Sequence, residues 1–196
     1  MEKNYDFVKP DSEVWWNDPD GGRSSGKYVI QQINAYSDEP IGDDTIILID
    51  NGHTEAEVRA SELSTLDERR LEMKAFGDRV CDIIQGSGCW AYAPLYNNLE
   101  ASSIEFYIHL PLCRDFSFAV YCPALSLAML KDSIKEYVDC FDIDYETYIW
   151  IGSDGHGKNG APYHIEDIIE NNKKVKSKLD NLYGIICKAC KDEETN

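Results

Sequence analysis

Basic residues are scarce in this chain of 196 residues, which has 19 Lys and Arg against 36 Asp and Glu and a formal net charge of -17. Apart from four lysines within residues 173–178, the few Lys and Arg residues are scattered along the sequence. Proteins bind nucleic acids and anionic membranes largely by placing clustered cations against phosphates. The composition therefore argues against direct DNA or RNA binding, and we expect a protein partner instead.

Long apolar runs are also missing, since no window approaches the 18 consecutive apolar residues that a membrane-spanning helix needs. The first residues lack the basic and apolar regions of a signal peptide. Cysteine is present as seven scattered residues, an odd number that is typical of reduced thiols in a core. These features predict a cytoplasmic protein without a membrane segment.

The sequence gives little support for catalysis or cofactor binding. It has no Cys-x5-Arg and no Gly-x4-Gly-Lys-Ser/Thr phosphate loop, and its one Gly-x-Ser-x-Gly spacing, Gly22 to Gly26, lies in a turn-forming stretch rather than between a strand and a helix. We therefore predict no catalytic residues, no cofactor and no metal site, and a non-enzymatic role.

Residues 1–63 have the pattern of a small antiparallel β structure. Short apolar runs at 14–16, 27–33, 45–49 and 56–60 are separated by turn-forming Gly, Asp and Asn residues and show no helical period. An opening aromatic strand, a long first loop and a late Glu-Val resemble the layout of SH3-like barrels, which implies such a barrel here. The segment carries 14 acidic and 5 basic residues, so it is strongly acidic.

The sequence pattern of residues 64–196 predicts an α+β domain. We expect an antiparallel sheet with helices packed on one face and a long C-terminal helix. Thr65 and Glu68 form a capping box at the start of a first helix that ends near Gly86. Strands are expected at 90–96, 103–110, 115–122 and 148–151, with further helices at 123–141 and from residue 165 to about residue 190. The strands at 103–110 and 115–122 are expected to form a hairpin.

The glycine-rich segment 152–162 combines backbone freedom with polar side chains. It contains Asp154, His156, Lys158 and Asn159, and His164 follows it. Backbone N–H groups before a helix, with a lysine nearby, can bind an anion or a partner. The alternative is a structured turn in which Asp154 and Asn159 bond to the local backbone. Asp154, His156 and His164 lack the spacing of a metal site.

A second candidate site is the polar face of the strand at 103–110. Glu105, Tyr107 and His109 alternate with four apolar residues and therefore share one face of that strand. An acid–base pair could be assembled there, but such a face is more often solvated or part of a protein interface. Cys187-x-x-Cys190 lies at the end of a predicted helix, where the helix dipole does not favour a reactive thiolate, so we interpret both cysteines as packing residues.

The last third of the chain resembles small uncharacterised proteins of bacteriophages and mobile elements, through His156-Gly-Lys-Asn-Gly-Ala-Pro162 and the acidic helix that follows. The resemblance implies a genomic context rather than a chemistry. Together with the acidity, it favours an interaction protein that modulates a host DNA-binding or defence protein by surface charge. Two alternatives stay open: an immunity-type or assembly protein that acts by shape, and a small enzyme or anion-binding protein that uses residues 152–164. The sequence does not predict the oligomeric state.

Overall fold

A computed structural model describes residues 4–20, 22, 24–34, 40–93, 103–110, 116–153 and 164–195. The described residues fall into two compact units: unit 1 runs as far as Ala75, and unit 2 begins at Phe76. The fold is mixed α+β, as the sequence predicts, with antiparallel sheets in both units. The glycine-rich segment from residue 154 to residue 163 lies outside the described residues.

Unit 1 contains a five-stranded antiparallel sheet, sheet A. Its strands are β1 (Glu13–Trp16), β2 (Gly26–Asn34), β3 (Ile46–Asp50), β4 (Glu55–Arg59) and β5 (Leu63–Ser64), which follows a 3-10 turn at Ala60–Glu62. The spatial order is β4-β3-β2-β1-β5. All four strands predicted for this region are confirmed.

One apolar cluster forms the core of sheet A, because alternate residues of its strands point to the same side. Its buried members are Tyr5, Val8, Val14, Tyr28, Ile30, Ile47, Ile49, Val58, Ala60 and Leu63. The sheet is open, since β4 and β5 are its edges and no strand pairing joins them within the described part of unit 1. The closed SH3-like barrel expected for residues 1–63 is therefore not confirmed.

The first helix, α1 (Leu66–Gln85), begins where the sequence predicts and for the predicted reason. The backbone N–H of Glu68 donates to the Thr65 hydroxyl at 3.1 Å, and the backbone N–H of Thr65 donates to the Glu68 carboxylate at 2.8 Å. This reciprocal pair is the capping box. Gly86 follows the last residue of α1, and the division between the two units falls within the helix.

Unit 2 contains a three-stranded antiparallel sheet, sheet B. Its order is β6 (Trp90–Tyr92), β7 (Ser103–Leu110) and β8 (Phe116–Pro123). The predicted pairing of β7 with β8 is confirmed, and it joins Ser103 to Pro123 at one end and Leu110 to Phe116 at the other. The central strand β7 buries Ile104, Phe106, Ile108 and Leu110 on its core side.

Three further helices complete unit 2: α2 (Leu127–Cys140), α3 (Ile143–Ser153) and α4 (Ile165–Glu194). α2 packs on β8 and on α4, and α3 packs on α4. The long C-terminal helix is confirmed; its 30 residues make it about 45 Å long. Its buried stripe is Ile168, Val175, Leu179, Leu182, Ile186 and Cys190.

The expected strand at Tyr148–Ile151 is wrong, because these residues lie within α3. The Asp142 carboxylate accepts the backbone N–H of Tyr145 at 2.7 Å, which satisfies one of the free donors at the helix start. Thr147 and Trp150 are buried, three residues apart on the helix. Capping and helical burial therefore outweigh the β propensity of the Tyr, Ile and Trp side chains.

The expected start of α2 at Pro123 is also wrong. Pro123 ends β8, and α2 begins four residues later at Leu127. Ser126 has extended backbone angles, and its hydroxyl accepts the backbone N–H of Met129 at 3.4 Å. A serine N-cap thus sets the helix start.

Candidate functional site

The side of sheet B opposite its core carries a row of polar and aromatic side chains. Glu105, Tyr107 and His109 alternate with the buried residues of β7 and so point to this side, as their spacing predicts. The strand register places residues of both neighbouring strands beside them. Glu105 lies opposite Tyr121 of β8, and Tyr107 lies opposite Tyr92 of β6.

His109 occupies the position between Trp90 of β6 and Ser117 of β8. The five rings and one carboxylate on this side are here named the aromatic face, which consists of Trp90, Tyr92, Glu105, Tyr107, His109 and Tyr121. All six residues belong to strands, so a paired backbone positions their side chains.

Four rings of the aromatic face stack in a continuous series. The ring centroids of Trp90 and His109 are 4.1 Å apart, with an interplanar angle of 5°. Those of Tyr92 and Tyr107 are 5.2 Å apart at 13°. Tyr92 links the two pairs, because its ring lies 5.9 Å from that of Trp90 and 6.0 Å from that of His109. Stacking of this kind holds the rings in fixed orientations.

Glu105 supplies the negative charge of the aromatic face. The Tyr107 hydroxyl donates to the Glu105 carboxylate at 3.0 Å. This hydrogen bond raises the pKa of Tyr107 above its ordinary value, with smaller contributions from desolvation and from the carboxylate charge. A hydrogen bond to Glu105 likewise raises the pKa of Tyr121. Glu105 is therefore held between two tyrosine hydroxyls that remain protonated at neutral pH.

Large rings on the aromatic face are open to solvent. Trp90 is 47% exposed, Tyr92 is 44% exposed and Tyr121 is 59% exposed. A single exposed aromatic residue is ordinary, but several neighbouring ones on one sheet face are typical of a recognition surface. Flat aromatic rings next to a carboxylate can bind a cation through ring faces and charge together.

His109 has one atom whose hydrogen bonding is incomplete. Its Nε2 is buried, and it has no hydrogen-bond partner within the described residues. Buried polar atoms without a partner are rare in folded proteins and often occur at sites of function. The imidazole is held by stacking on Trp90.

The other candidate residues from the sequence lie elsewhere. Asp154, His156, Lys158 and Asn159 fall outside the described residues. His164 is exposed and directly precedes α4. Its carbonyl oxygen accepts the backbone N–H groups of Asp167 and Ile168 at 3.0 and 3.2 Å, and its side chain does not cap the helix.

In the part of the chain that the structure describes, no group of three or more His, Cys, Asp and Glu side chains is placed to hold a metal ion. Cys187 and Cys190 lie near the end of α4 and form no disulfide within the described residues, and Cys190 is buried. No helix in the described segments is long and apolar enough to span a membrane.

Sequence reasoning identified Glu105, Tyr107 and His109, but it missed Trp90 and Tyr92 as members of the same surface. The signal that could have found them is the alternation in β6, where Ala91 is buried and both neighbours are exposed. No protein-family model, curated protein or solved structure matches this chain.

Proposed function

We propose that this chain is a non-enzymatic interaction protein that binds a basic protein surface through the aromatic face. The single observation that carries this proposal is the series of stacked, solvent-exposed rings around Glu105 on one side of sheet B. Rigid aromatic side chains provide large contact area with little loss of conformational entropy on binding, which makes them effective anchors in protein interfaces.

Charge complementarity determines the chemistry of the partner. An arginine guanidinium stacks on the faces of Trp and Tyr rings and pairs with a carboxylate, and Glu105 provides that carboxylate beside Tyr107. The net charge of -17 attracts a basic surface over a longer range and speeds the encounter. A protein that normally grips DNA presents such a surface.

Aromatic rings on a sheet also bind single-stranded nucleic acid, but those platforms lie in a basic groove that follows the phosphates. The strands β6, β7 and β8 contain no Lys or Arg, and Glu105 is the acidic residue at the centre of the aromatic face. Phosphate groups would be repelled there. A protein partner fits this surface better than a nucleic acid does.

The resemblance of the C-terminal third to phage and mobile-element proteins supports a biological setting for this interaction. In that setting the chain acts in the bacterial cytoplasm and modulates a host DNA-binding or defence protein. For unit 1, five short antiparallel strands in the order β4-β3-β2-β1-β5 support an SH3-like fold that adds a second acidic surface.

The proposal is tested by affinity capture from a bacterial lysate at low and high salt, followed by mass spectrometry. The bait proteins are the wild type, the double variant Trp90→Ala/Tyr92→Ala and the control Tyr145→Ala/Tyr148→Ala, which removes two exposed rings of α3. We expect the wild type and the control to retain a DNA-binding protein that high salt releases and the face variant does not retain.

Two results would count against the proposal. Retention of the same protein by the face variant would exclude the aromatic face as the binding surface. Retention that is independent of salt would favour the alternative in which the chain neutralises its partner by shape.

A further inference from the structure

Unit 2 contains a cavity of about 210 Å³ between the start of β8, α3 and α4. This volume is below the usual range for drug-binding pockets, so it suits a ligand smaller than most drug molecules. Both apolar and polar residues line this cavity. The apolar ones include Phe116, Trp150 and Val175, and the polar ones include Glu146, Asn171 and Asn172.

Two consecutive asparagines in the wall of the cavity are buried, although helix α4 buries mainly apolar residues. Asn171 and Asn172 are each only 5% exposed, and they lie between the core residues Ile168 and Val175. Burying an amide costs free energy unless its hydrogen bonds are made. Their presence at these positions therefore calls for partners.

The Asn172 amide has a partner within unit 2, whereas the side-chain oxygen of Asn171 has none among the described residues. The Asn172 amide donates to the Thr147 hydroxyl of α3 at 3.0 Å. The side-chain oxygen of Asn171 is buried and accepts no hydrogen bond from any described residue. This oxygen accepts hydrogen bonds only, so a ligand that satisfies it must carry a donor.

Glu146 determines the charge that the cavity prefers. It lies on α3, lines the same cavity and forms no salt bridge with the described residues. The Glu146 carboxylate and the Asn171 side-chain oxygen are both acceptors only, and a cavity lined by both residues favours N–H groups that carry positive charge. Phe116, Trp150 and Val175 supply walls for an apolar body.

We propose that this cavity binds a small organic cation, a primary ammonium group on a short apolar chain. In that arrangement the ammonium donates to Asn171 Oδ1 and to the Glu146 carboxylate, and the chain contacts Trp150 and Phe116. The proposal is independent of the aromatic face, because it rests on different residues and needs no protein partner.

The test uses the full chain labelled with ¹⁵N and follows the indole N–H signal of Trp150, which is assigned from the variant Trp150→Phe. The probe is n-butylamine at neutral pH. The controls are 1-butanol, which has the same body without charge, and butyrate, which has the opposite charge. We expect the Trp150 signal to shift in a saturable way with butylamine, in the millimolar range of a small fragment, and to respond little to either control.

Matched variants test whether butylamine binding depends on the Glu146 carboxylate and on Asn171 Oδ1. Glu146→Gln removes the charge inside the cavity, whereas Glu170→Gln removes a charge from the exposed side of α4. Asn171→Leu removes the unpaired oxygen at similar size. We expect Glu146→Gln and Asn171→Leu each to weaken butylamine binding about tenfold or more, with Glu170→Gln unchanged.

Several results would overturn the proposal: no shift of the Trp150 signal, equal binding of butanol or butyrate, or unchanged affinity in Glu146→Gln. The variant Glu146→Gln keeps the test decisive if Asn171→Leu does not fold. Glu146 is only partly buried, and its replacement by Gln is nearly isosteric.

Discussion

The imidazole of His109 lies flat on the indole of Trp90, with ring centroids 4.1 Å apart and ring planes 5° from parallel. The two residues are direct partners in the register of β6 and β7. The stack fixes the indole of an edge strand that is only three residues long. A ring that is already oriented loses less entropy on binding, and this favours the aromatic face as a preorganised surface.

This stack predicts a measurable coupling between the two side chains. In a double-mutant cycle of Trp90→Ala and His109→Ala, we expect a coupling of about 0.5–1.5 kcal/mol in the free energy of unfolding. Urea unfolding of the four proteins measures it. The control cycle pairs Trp90→Ala with Tyr148→Ala, an exposed residue of α3, and should show no coupling. Equal couplings in both cycles would mean that the stack is not formed in solution.

The hydrogen bonds to Glu105 predict late titration of two tyrosines. The protonated hydroxyls of Tyr107 and Tyr121 are stabilised in the folded chain, which raises the pKa of each above its ordinary value. The corresponding stability is fully present below pH of about 10 and is lost as the pH rises through the raised pKa. Titration of the tyrosine ¹³Cζ signals by NMR follows both residues.

The matched variant for this titration is Glu105→Gln, which keeps the shape and removes the charge. We expect it to lower the pKa of both tyrosines towards the ordinary value. If their titration midpoints are the same in the wild type and in the variant, Glu105 does not accept hydrogen bonds from these hydroxyls.

The capping box of α1 predicts a specific pair of stability changes. Thr65→Ala removes the oxygen that accepts the Glu68 backbone N–H, and we expect it to lower the free energy of unfolding by about 1 kcal/mol. Thr65→Ser keeps that oxygen and should change the stability by much less. Thermal or urea unfolding distinguishes the two variants, and equal losses would show that the hydroxyl does not cap the helix.

The buried pair of Asn172 and Thr147 predicts non-additive effects between α3 and α4. Asn172→Leu leaves the Thr147 oxygen without its donor, and we expect it to cost about 1–3 kcal/mol of unfolding free energy. The double variant Thr147→Val/Asn172→Leu removes both polar groups and should recover much of that loss. Urea unfolding measures all three proteins, and a double variant less stable than either single one would contradict the pairing.

Local signals made much of the fold predictable. Alternating residues in β7 identify its two faces without tertiary information, and the spacing of Thr65 and Glu68 marks the start of α1. The strand wrongly predicted at Tyr148–Ile151 shows the limit of such signals. Its residues favour strands, but they form a helix that is capped by Asp142 and packed on α4, and the packing depends on residues distant in sequence.

The candidate site was only partly predictable for a similar reason. Glu105, Tyr107 and His109 are alternate residues of one strand, so the sequence alone places them together. Trp90 and Tyr92 join them only through the pairing of β6 with β7. That register depends on long-range pairing, which the pattern of a three-residue strand does not specify.

The measurement that tests the central claim most directly is an NMR titration of the ¹⁵N-labelled chain with an oligoarginine peptide. The indole N–H signal of Trp90 reports on the aromatic face, and that of Trp15, fully buried in unit 1, serves as the internal control. We predict that the peptide shifts the Trp90 signal and leaves the Trp15 signal in place, and that Glu105→Gln weakens the response. An unchanged Trp90 signal, with shifts confined to the backbone of the acidic sheet A, would contradict the claim that the aromatic face binds a basic protein surface.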